Sequence, residues 1–232
     1  MEIIDKALKE GRETLSEYES KIILASYQIP VTREIMVETR NDVIPAASEI
    51  GYPVVMKGCS PEITHKTEKG LIQTDIRNDS EALDAFNDIM AGMNGIKGTI
   101  LVQEMIKGKR ELVIGLIRDP QFGPCVMFGL GGIFTEILKD VSFRLAPLEK
   151  RDTLEMMDEI KAHKILDSIR GMEPVDREIL SEMLINVGRI GIENDRIKEI
   201  DINPVIISGS RPIAVDALIA LQSKPSPETE RV

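Results

Sequence analysis

Three polar side chains near the C-terminus have types and spacing that suit a metal ion. Residues 199–218, EIDINPVIISGSRPIAVDAL, have the pattern of two strands joined by a turn at Ser208 to Arg211. Asp201 and Asn203 are two residues apart, so in a strand their side chains share one face. Asp216 lies on the second strand of this hairpin, and the register of the two strands decides whether it joins them.

The metal hypothesis depends on that register. If Ile207 pairs with Pro212 across the turn, Asn203 lies directly opposite Asp216, and Asp201 lies beside them. Hard oxygen ligands on a rigid pair of strands suit Mg²⁺, which takes one or two protein carboxylates and leaves positions for water and phosphate. A shift by one residue would turn Asp216 to the other face. The alternative is that these residues only line the solvated face of a hairpin.

Lys57 follows an apolar run, Tyr52 to Met56, so we expect it to project from the end of a strand into a cleft. A lysine in such a place can bind phosphate as a point charge. The alternative is a solvated lysine at a strand end, which is the more frequent arrangement in proteins generally.

His65 lies near the middle of a polar segment, Gly58 to Lys69, that we expect to form a loop. The other histidine, His163, lies in a stretch with helical periodicity. A neutral imidazole is a good nucleophile near neutral pH, so His65 could accept a phosphoryl group. An exposed loop histidine without a chemical task is the alternative.

The elements that must position these residues form two segments, each mixing helices and strands. In the first segment we expect helices at 16–27, 39–50 and from 79, and strands at 53–57, 71–76 and 99–103. In the second we expect helices at 150–162 and 175–190, and strands at 112–117, 125–128, 200–207 and 213–217. The fold class is therefore α/β (α+β), with an N-terminal lobe at 1–104, a C-terminal lobe at 105–222 and a flexible tail at 223–232.

Composition excludes several classes of function. The chain has 232 residues, of which 42% are hydrophobic and 29% charged, so it can bury a substantial core. Its net charge of −10 includes no basic block for nucleic acid, and its two cysteines indicate no disulfide framework. No apolar run is long enough for a membrane helix. The chain starts without a basic segment followed by an apolar core, so secretion is not indicated and we expect a cytoplasmic protein.

Five segments in order along the chain resemble one family. They are LSEYESKIILASYQIPV, GYPVVMKGCSPEITHKTEKG, VQEMIKGKRELVIGLIRDPQFGP, FGLGGIFTEILKDVSFRLAPL and EIDINPV followed by VDA. The chain resembles, over nearly its whole length, the β subunit of ADP-forming acetyl-CoA synthetase, which is related to the β chain of succinyl-CoA synthetase. This resemblance implies an ATP-grasp fold, in which two lobes hold ATP between them.

The resemblance also implies roles for residues that bind the nucleotide. Lys57 would contact the phosphates, and Glu111 would hold the ribose hydroxyls. The backbone of a hinge segment would meet the adenine; its members are Gln103, Glu104, Met105 and Ile106. ATP or ADP is the implied nucleotide.

The same resemblance implies Mg²⁺ as a cofactor, with Asn203 and Asp216 as its ligands and Asp201 beside them. His65 in the sequence THKT matches a second phosphohistidine carrier proposed for these synthetases. Phosphate would pass from a histidine of a partner subunit through His65 to ADP, and in reverse ATP would drive acyl-CoA formation.

The implied partner is an α subunit that carries the CoA-binding and acyl-transfer domains, in an α2β2 heterotetramer. This chain lacks the glycine-rich Rossmann signature expected of such a subunit. Two other functions remain open from the residues: an ATP-grasp ligase that makes an acyl phosphate without a histidine relay, and a nucleotide-sensing module without turnover. Retention of Lys57, Glu111, Asn203 and Asp216 together argues against the sensor.

Overall fold

The computed structural model describes residues 2–62, 70–132, 140–169 and 171–222. The α-helices within these ranges are α1 (Glu2–Lys9), α2 (Glu17–Ser26), α3 (Arg40–Ile50), α4 (Asp79–Gly92), α5 (Lys150–Glu159) and α6 (Arg177–Glu193), with a 3₁₀ helix at His163–Leu166. The strands are β1 (Glu34–Val37), β2 (Val54–Cys59), β3 (Ile72–Ile76), β4 (Thr99–Glu104), β5 (Glu111–Asp119), β6 (Gly123–Leu130), β7 (Val141–Leu145), β8 (Ile197–Ser208), β9 (Arg211–Ala214) and β10 (Leu218–Leu221).

The described residues divide into two compact units. Unit 1 takes those within Met1–Leu15, Glu19–Val31 and Lys107–Val232, and unit 2 takes Ser16–Tyr18 and Thr32–Ile106. The boundary between Ile106 and Lys107 is close to the expected one, which follows Glu104. The division differs from the expected one at the N-terminus, because α1 and most of α2 add their apolar side chains to the core of unit 1.

Unit 2 is a four-stranded antiparallel sheet, in the order β1-β4-β2-β3, with two helices on one face. Alternate residues of β2 and β4, such as Met56 and Val102, face the helices and form a core with them. From α3 this core takes Val43 and Ala47, and from α4 it takes Ile89. Lys57 and Leu101, on the intervening positions, therefore point to the opposite face of the sheet.

Unit 1 contains a larger antiparallel sheet in the order β10-β8-β5-β6-β7, and β9 also pairs with β8. Helix α5 packs against β6 and β7, and helix α6 packs against β5 and β6. Their core residues include Met157 of α5 and Leu184 of α6. The strand residues in this core alternate along each strand, as Ile200 and Ile202 do in β8. The residues between them, including Asp201, lie on the face that these helices leave uncovered.

The predicted mixed fold is confirmed, with sheets that are antiparallel throughout. The helix α3 begins at Arg40, as expected, and contains Pro45 in its interior. Four features were not expected from the sequence: α1, β1, β7 and the division of the last strand into β9 and β10. Within the described ranges, no helix combines the length and the hydropathy needed to cross a bilayer.

Candidate functional site

The hairpin formed by β8, β9 and β10 has the predicted register. Ile207 pairs with Pro212, and the two-residue turn between the strands uses Gly209 at a φ of 62°. Nearer the polar residues, the carbonyl of Pro204 accepts the Val215 N–H at 3.0 Å. The pairing therefore continues unchanged beyond the end of β9.

Asn203 and Asp216 lie opposite each other in this register. Asp201 pairs with Leu218 of β10, so the pairing has the same register on both sides of position 203. The expected strand at 213–217 ends at Ala214, and beyond it Oδ1 of Asp216 accepts the N–H of Ala217 at 2.8 Å. We call Asp201, Asn203 and Asp216 the hairpin triad.

The hairpin triad places negative charge where water is restricted. Asp201 is only partly exposed, and it lies between two buried isoleucines along β8. Burial, and to a lesser extent the charges of Glu199 and Asp216, raise the pKa of Asp201 to about 6. Both causes disfavour the ionised carboxyl, and a cation beside it would favour ionisation.

The donor set of the hairpin triad fits a hard divalent cation. It offers two carboxylates and one amide oxygen on paired strands, which is the ligand chemistry of Mg²⁺. In the part of the chain that the structure describes, no group of three or more His, Cys, Asp or Glu side chains has a metal-binding arrangement. The hairpin triad supplies only two carboxylates, which suits Mg²⁺ because this ion takes most of its other ligands from water or phosphate.

Glu111 lies close to this triad, at the start of β5 in the same unit. The N–H of Gly131 donates to the Glu111 carbonyl at 2.9 Å, and the N–H of Gly132 points to Oδ1 of Asn203 at 3.4 Å. A Cβ on Gly132 would collide with Oε2 of Glu111. The glycine pair after β6 therefore brings Glu111 and Asn203 together, a function that the sequence analysis missed although it noted the FGLGG segment.

Arg110 is a second residue that the sequence analysis did not single out. Its side chain is buried, and it donates to four backbone carbonyls at 2.7 to 3.3 Å, those of Ile165, Asp167, Glu173 and Gly209. Burial lowers the pKa of Arg110 below its usual value. This guanidinium ties the turn of the hairpin and the segment after α5 to the residue that precedes Glu111.

Lys57 does not lie at the end of a strand, as the sequence analysis expected. It is the fourth of six residues in β2, all of them buried, and its cross-strand neighbours are Leu101 and Ile72. Its Nζ lies 2.8 Å from Oε1 of Glu17, whose side chain is also buried. The apolar run predicted a strand correctly but did not reveal the acidic partner 40 residues earlier, which makes burial of the lysine possible.

The predicted hinge segment begins in β4. Gln103 is buried, and the side chain of Glu104 accepts the Arg33 N–H at 2.8 Å and its Nε at 3.3 Å. Met105 and Ile106 follow the strand, and their backbone groups form no hydrogen bond with any residue that the structure describes. These two residues therefore present main-chain donors and acceptors that the surrounding described chain leaves unused.

His65 lies outside the described residues, as do 63–69 as a whole, so its predicted role stays a prediction. The predicted loop is shorter at its start than expected, because Gly58 and Cys59 belong to β2. The other histidine, His163, begins the 3₁₀ helix, where its Nδ1 lies 3.1 Å from the carbonyl of Ile160.

Comparison with known proteins gives a family match along nearly the whole chain. Residues 6–221 match the model of an ATP-grasp domain. The chain is 48% identical over 225 residues to the β subunit of acetate–CoA ligase [ADP-forming] I from Pyrococcus furiosus. This alignment covers 95% of the chain and 97% of that subunit.

Solved structures agree with this match. Acetyl-coenzyme A synthetase 1 of Ca. Korarchaeum cryptofilum, in complex with coenzyme A and Ca-AMPCP, gives a TM-score of 0.91 at 44% identity, covering 95% of this chain and 99% of that one. A second structure of that enzyme, with coenzyme A and Mg-AMPPCP, has its phosphohistidine segment pointing towards the nucleotide-binding site; its TM-score is 0.84, at 44% identity and the same coverage. The chain therefore belongs to the ATP-grasp family, among the β subunits of the ADP-forming acetate–CoA ligases.

Proposed function

We propose that this chain is the nucleotide-binding β subunit of an ADP-forming acyl-CoA synthetase, an acid–thiol ligase. The reaction converts acyl-CoA, ADP and phosphate to a carboxylic acid, CoA and ATP, and it is reversible. The observation that carries the proposal is the 48% identity to an acetate–CoA ligase β subunit over 97% of that subunit. Acetate is accordingly the first acid to test.

Within unit 2, Lys57 binds the nucleotide phosphates and the segment Gln103, Glu104, Met105 and Ile106 meets the adenine. The charge of a lysine suits phosphate oxygens, and backbone N–H and C=O groups suit the edge of a base. The unused main-chain groups of Met105 and Ile106 support this assignment. The Glu104 side chain is bonded to Arg33, which favours a backbone contact over a side-chain contact at that residue.

Within unit 1, the Glu111 carboxylate accepts hydrogen bonds from the ribose hydroxyls. The hairpin triad holds Mg²⁺ through Asp201, Asn203 and Asp216. Bound Mg²⁺ neutralises charge on the nucleotide phosphates during phosphoryl transfer. The paired strands fix the positions of the oxygen ligands before the ion arrives. The raised pKa of Asp201 supports a site that is completed by positive charge.

His65 carries the phosphoryl group between the partner subunit and ADP. In the direction of ATP synthesis, a nitrogen of its neutral imidazole attacks the phosphorus of a phosphohistidine on the partner, and the donor P–N bond breaks. A terminal oxygen of ADP then takes the phosphoryl group, which restores the imidazole. The phosphohistidine segment of the Korarchaeum enzyme supports this role.

The partner is an α subunit with the CoA-binding and acyl-transfer domains, assembled as α2β2. A β subunit implies a second subunit, and the CoA and acid sites are assigned to that subunit.

Reconstitution with the partner tests the proposed function. The full chain alone is expected to bind Mg-ATP, measured by titration calorimetry, and to form no acetyl-CoA from acetate, CoA and ATP. Addition of the α subunit should restore synthesis and give a complex with the mass of α2β2. Turnover by the chain alone, or no turnover after assembly with its partner, would contradict the proposal.

A further inference from the structure

The buried ion pair in unit 2 links Lys57 to a residue that has no role so far. The side chains of Lys57 and Glu17 are 5% and 1% exposed, and Nζ lies 2.8 Å from Oε1. A lysine buried to this extent without an opposite charge loses its proton readily, because burial disfavours the ammonium. Glu17 places an opposite charge at hydrogen-bonding distance from Nζ, which favours the charged form of Lys57 that phosphate binding requires.

Glu17 is placed to hold the Lys57 ammonium in position as well as to favour its protonated form. It is the first residue of α2, where the partial positive charge of the helix N-terminus stabilises a carboxylate. Lys57 lies in the middle of β2 and is flanked by Leu101 and Ile72 in the neighbouring strands.

We propose that Glu17 is a positioning residue for nucleotide binding, which keeps Lys57 protonated and holds its ammonium in one place. The inference rests on the proposed contact between Lys57 and the nucleotide phosphates. An ammonium has three N–H donors, so a bond to Glu17 is compatible with bonds to phosphate oxygens.

Other ionisable groups lie on the elements around this pair: Glu34 of β1, Lys21 of α2, Asp75 of β3 and Glu104 of β4. Glu34 shares the sheet face of Lys57, since it pairs with Gln103 two positions from Leu101. The charged residues of α3 and α4 lie on the other face. All these groups are common to the wild type and to a Glu17 variant, so a difference in pH profile reports the pair itself.

Glu17→Gln is the direct test, because it keeps a hydrogen-bonding side chain of the same size and removes the charge. The Kd of the full chain for Mg-ATP is measured by calorimetry from pH 7 to 9. The ratio of variant to wild-type Kd is expected to rise with pH, approaching about tenfold for each pH unit, if removing the Glu17 charge makes the buried ammonium easier to deprotonate. Glu19→Gln is the matched control, since Glu19 lies in the same helix and pairs with Arg12 near the surface.

A double-mutant cycle with Lys57→Met separates a positioning role from a structural one. Glu17→Gln should weaken binding in the wild type and cause no further loss in the Lys57→Met chain. Glu17→Gln/Lys57→Met removes both charges of this ion pair, so neither member of the pair is left charged opposite a neutral partner. A pH-independent loss that adds to the effect of Lys57→Met would overturn the proposal.

The outcomes also distinguish this inference from the proposed function. Wild-type affinity in Lys57→Met would contradict the phosphate-binding role of Lys57. If Lys57→Met binds Mg-ATP more weakly but Glu17→Gln has the wild-type Kd at every pH, the role of Glu17 is overturned and that of Lys57 is not. If Glu17→Gln does not fold, Glu17→Asp is used, because it keeps the charge but moves it. We expect a Kd for Mg-ATP that is several-fold weaker, with no added pH dependence. Wild-type affinity in this variant would overturn the positioning role.

Discussion

Gly132 lies directly against the carboxylate of Glu111, at a position where a Cβ would overlap Oε2. The residue has a φ of 65°, and its N–H points to Oδ1 of Asn203. Two residues from different strands, each with a proposed role toward nucleotide or metal, therefore meet at one glycine. The absence of a side chain at Gly132 is needed for its close contact with Glu111. A positive φ, which glycine adopts without strain, is needed for the turn of the backbone after β6.

Gly132→Ala should displace the Glu111 carboxylate and weaken nucleotide binding by about tenfold or more, as expected for the loss of a hydrogen bond to a charged group. The measurement is the Kd for Mg-ATP together with the free energy of unfolding. Gly123→Ala is the control, because Gly123 has a φ of 83° and open space around it. Both variants should lose roughly 1 to 2 kcal/mol of stability to backbone strain. Equal nucleotide affinity in the two variants would show that the Gly132 contact has no role in binding.

Replacing Asn203 or Asp216 by Ala should reduce turnover of the assembled enzyme by roughly a hundredfold or more and raise the Mg²⁺ concentration that it requires. Each change removes one proposed oxygen ligand and alters no backbone group of the paired strands. Initial rates at several Mg²⁺ concentrations measure the effect, and circular dichroism checks the fold. Asp195→Ala, which removes an exposed carboxylate just before β8, should behave as wild type. A wild-type response to Mg²⁺ in both hairpin variants would exclude the metal site.

Arg110→Lys should destabilise the chain by about 1.5 to 3 kcal/mol, because a lysine cannot reproduce the planar donors that reach four carbonyls. The donors serve Ile165, Asp167, Glu173 and Gly209. Chemical denaturation of the full chain measures the change. Arg151→Lys is the control; its exposed pair with Glu155 is screened by solvent, so the free energy of unfolding should stay at the wild-type value. A similar value for both variants would show that the buried contacts of Arg110 are not important for stability.

The hairpin register was predictable because it depends on local information. Strands alternate with period two, and a short turn containing Gly209 fixes which residues face each other. Pairing of Ile207 with Pro212 then determines the position of Asn203 across from residue 216. The break between β9 and β10 was not predictable in the same way. At this point the side chain of Asp216 accepts a hydrogen bond from the next residue, which the alternation of residue types does not indicate.

The environment of Lys57 was not predictable from its own neighbours in sequence. An apolar run predicted a strand, but the burial of the lysine depends on Glu17, which α2 supplies from far along the chain. The same reason applies to β1, a four-residue strand with little periodicity that is defined by pairing with β4. Long-range partners, rather than local propensity, decided both features.

His65→Ala should abolish acyl-CoA synthesis by the assembled enzyme and leave the Kd for Mg-ATP unchanged, because the residue is proposed to carry phosphate and not to bind nucleotide. Wild-type chain incubated with ATP and Mg²⁺ should acquire a phosphate that is labile in acid and stable in alkali, as a phosphohistidine is. Phosphopeptide mapping under alkaline conditions locates it.

His163→Ala is the matched control for this experiment, because the chain contains two histidines and this one lies in a 3₁₀ helix of unit 1. Its ring contacts only a local carbonyl among the hydrogen bonds of the described residues. The control variant should keep both turnover and the acid-labile phosphate, so that a loss in His65→Ala can be attributed to one imidazole. Near-normal turnover of His65→Ala with the partner present would exclude the relay. A phosphate that mapped to His163 would move the carrier to the other histidine.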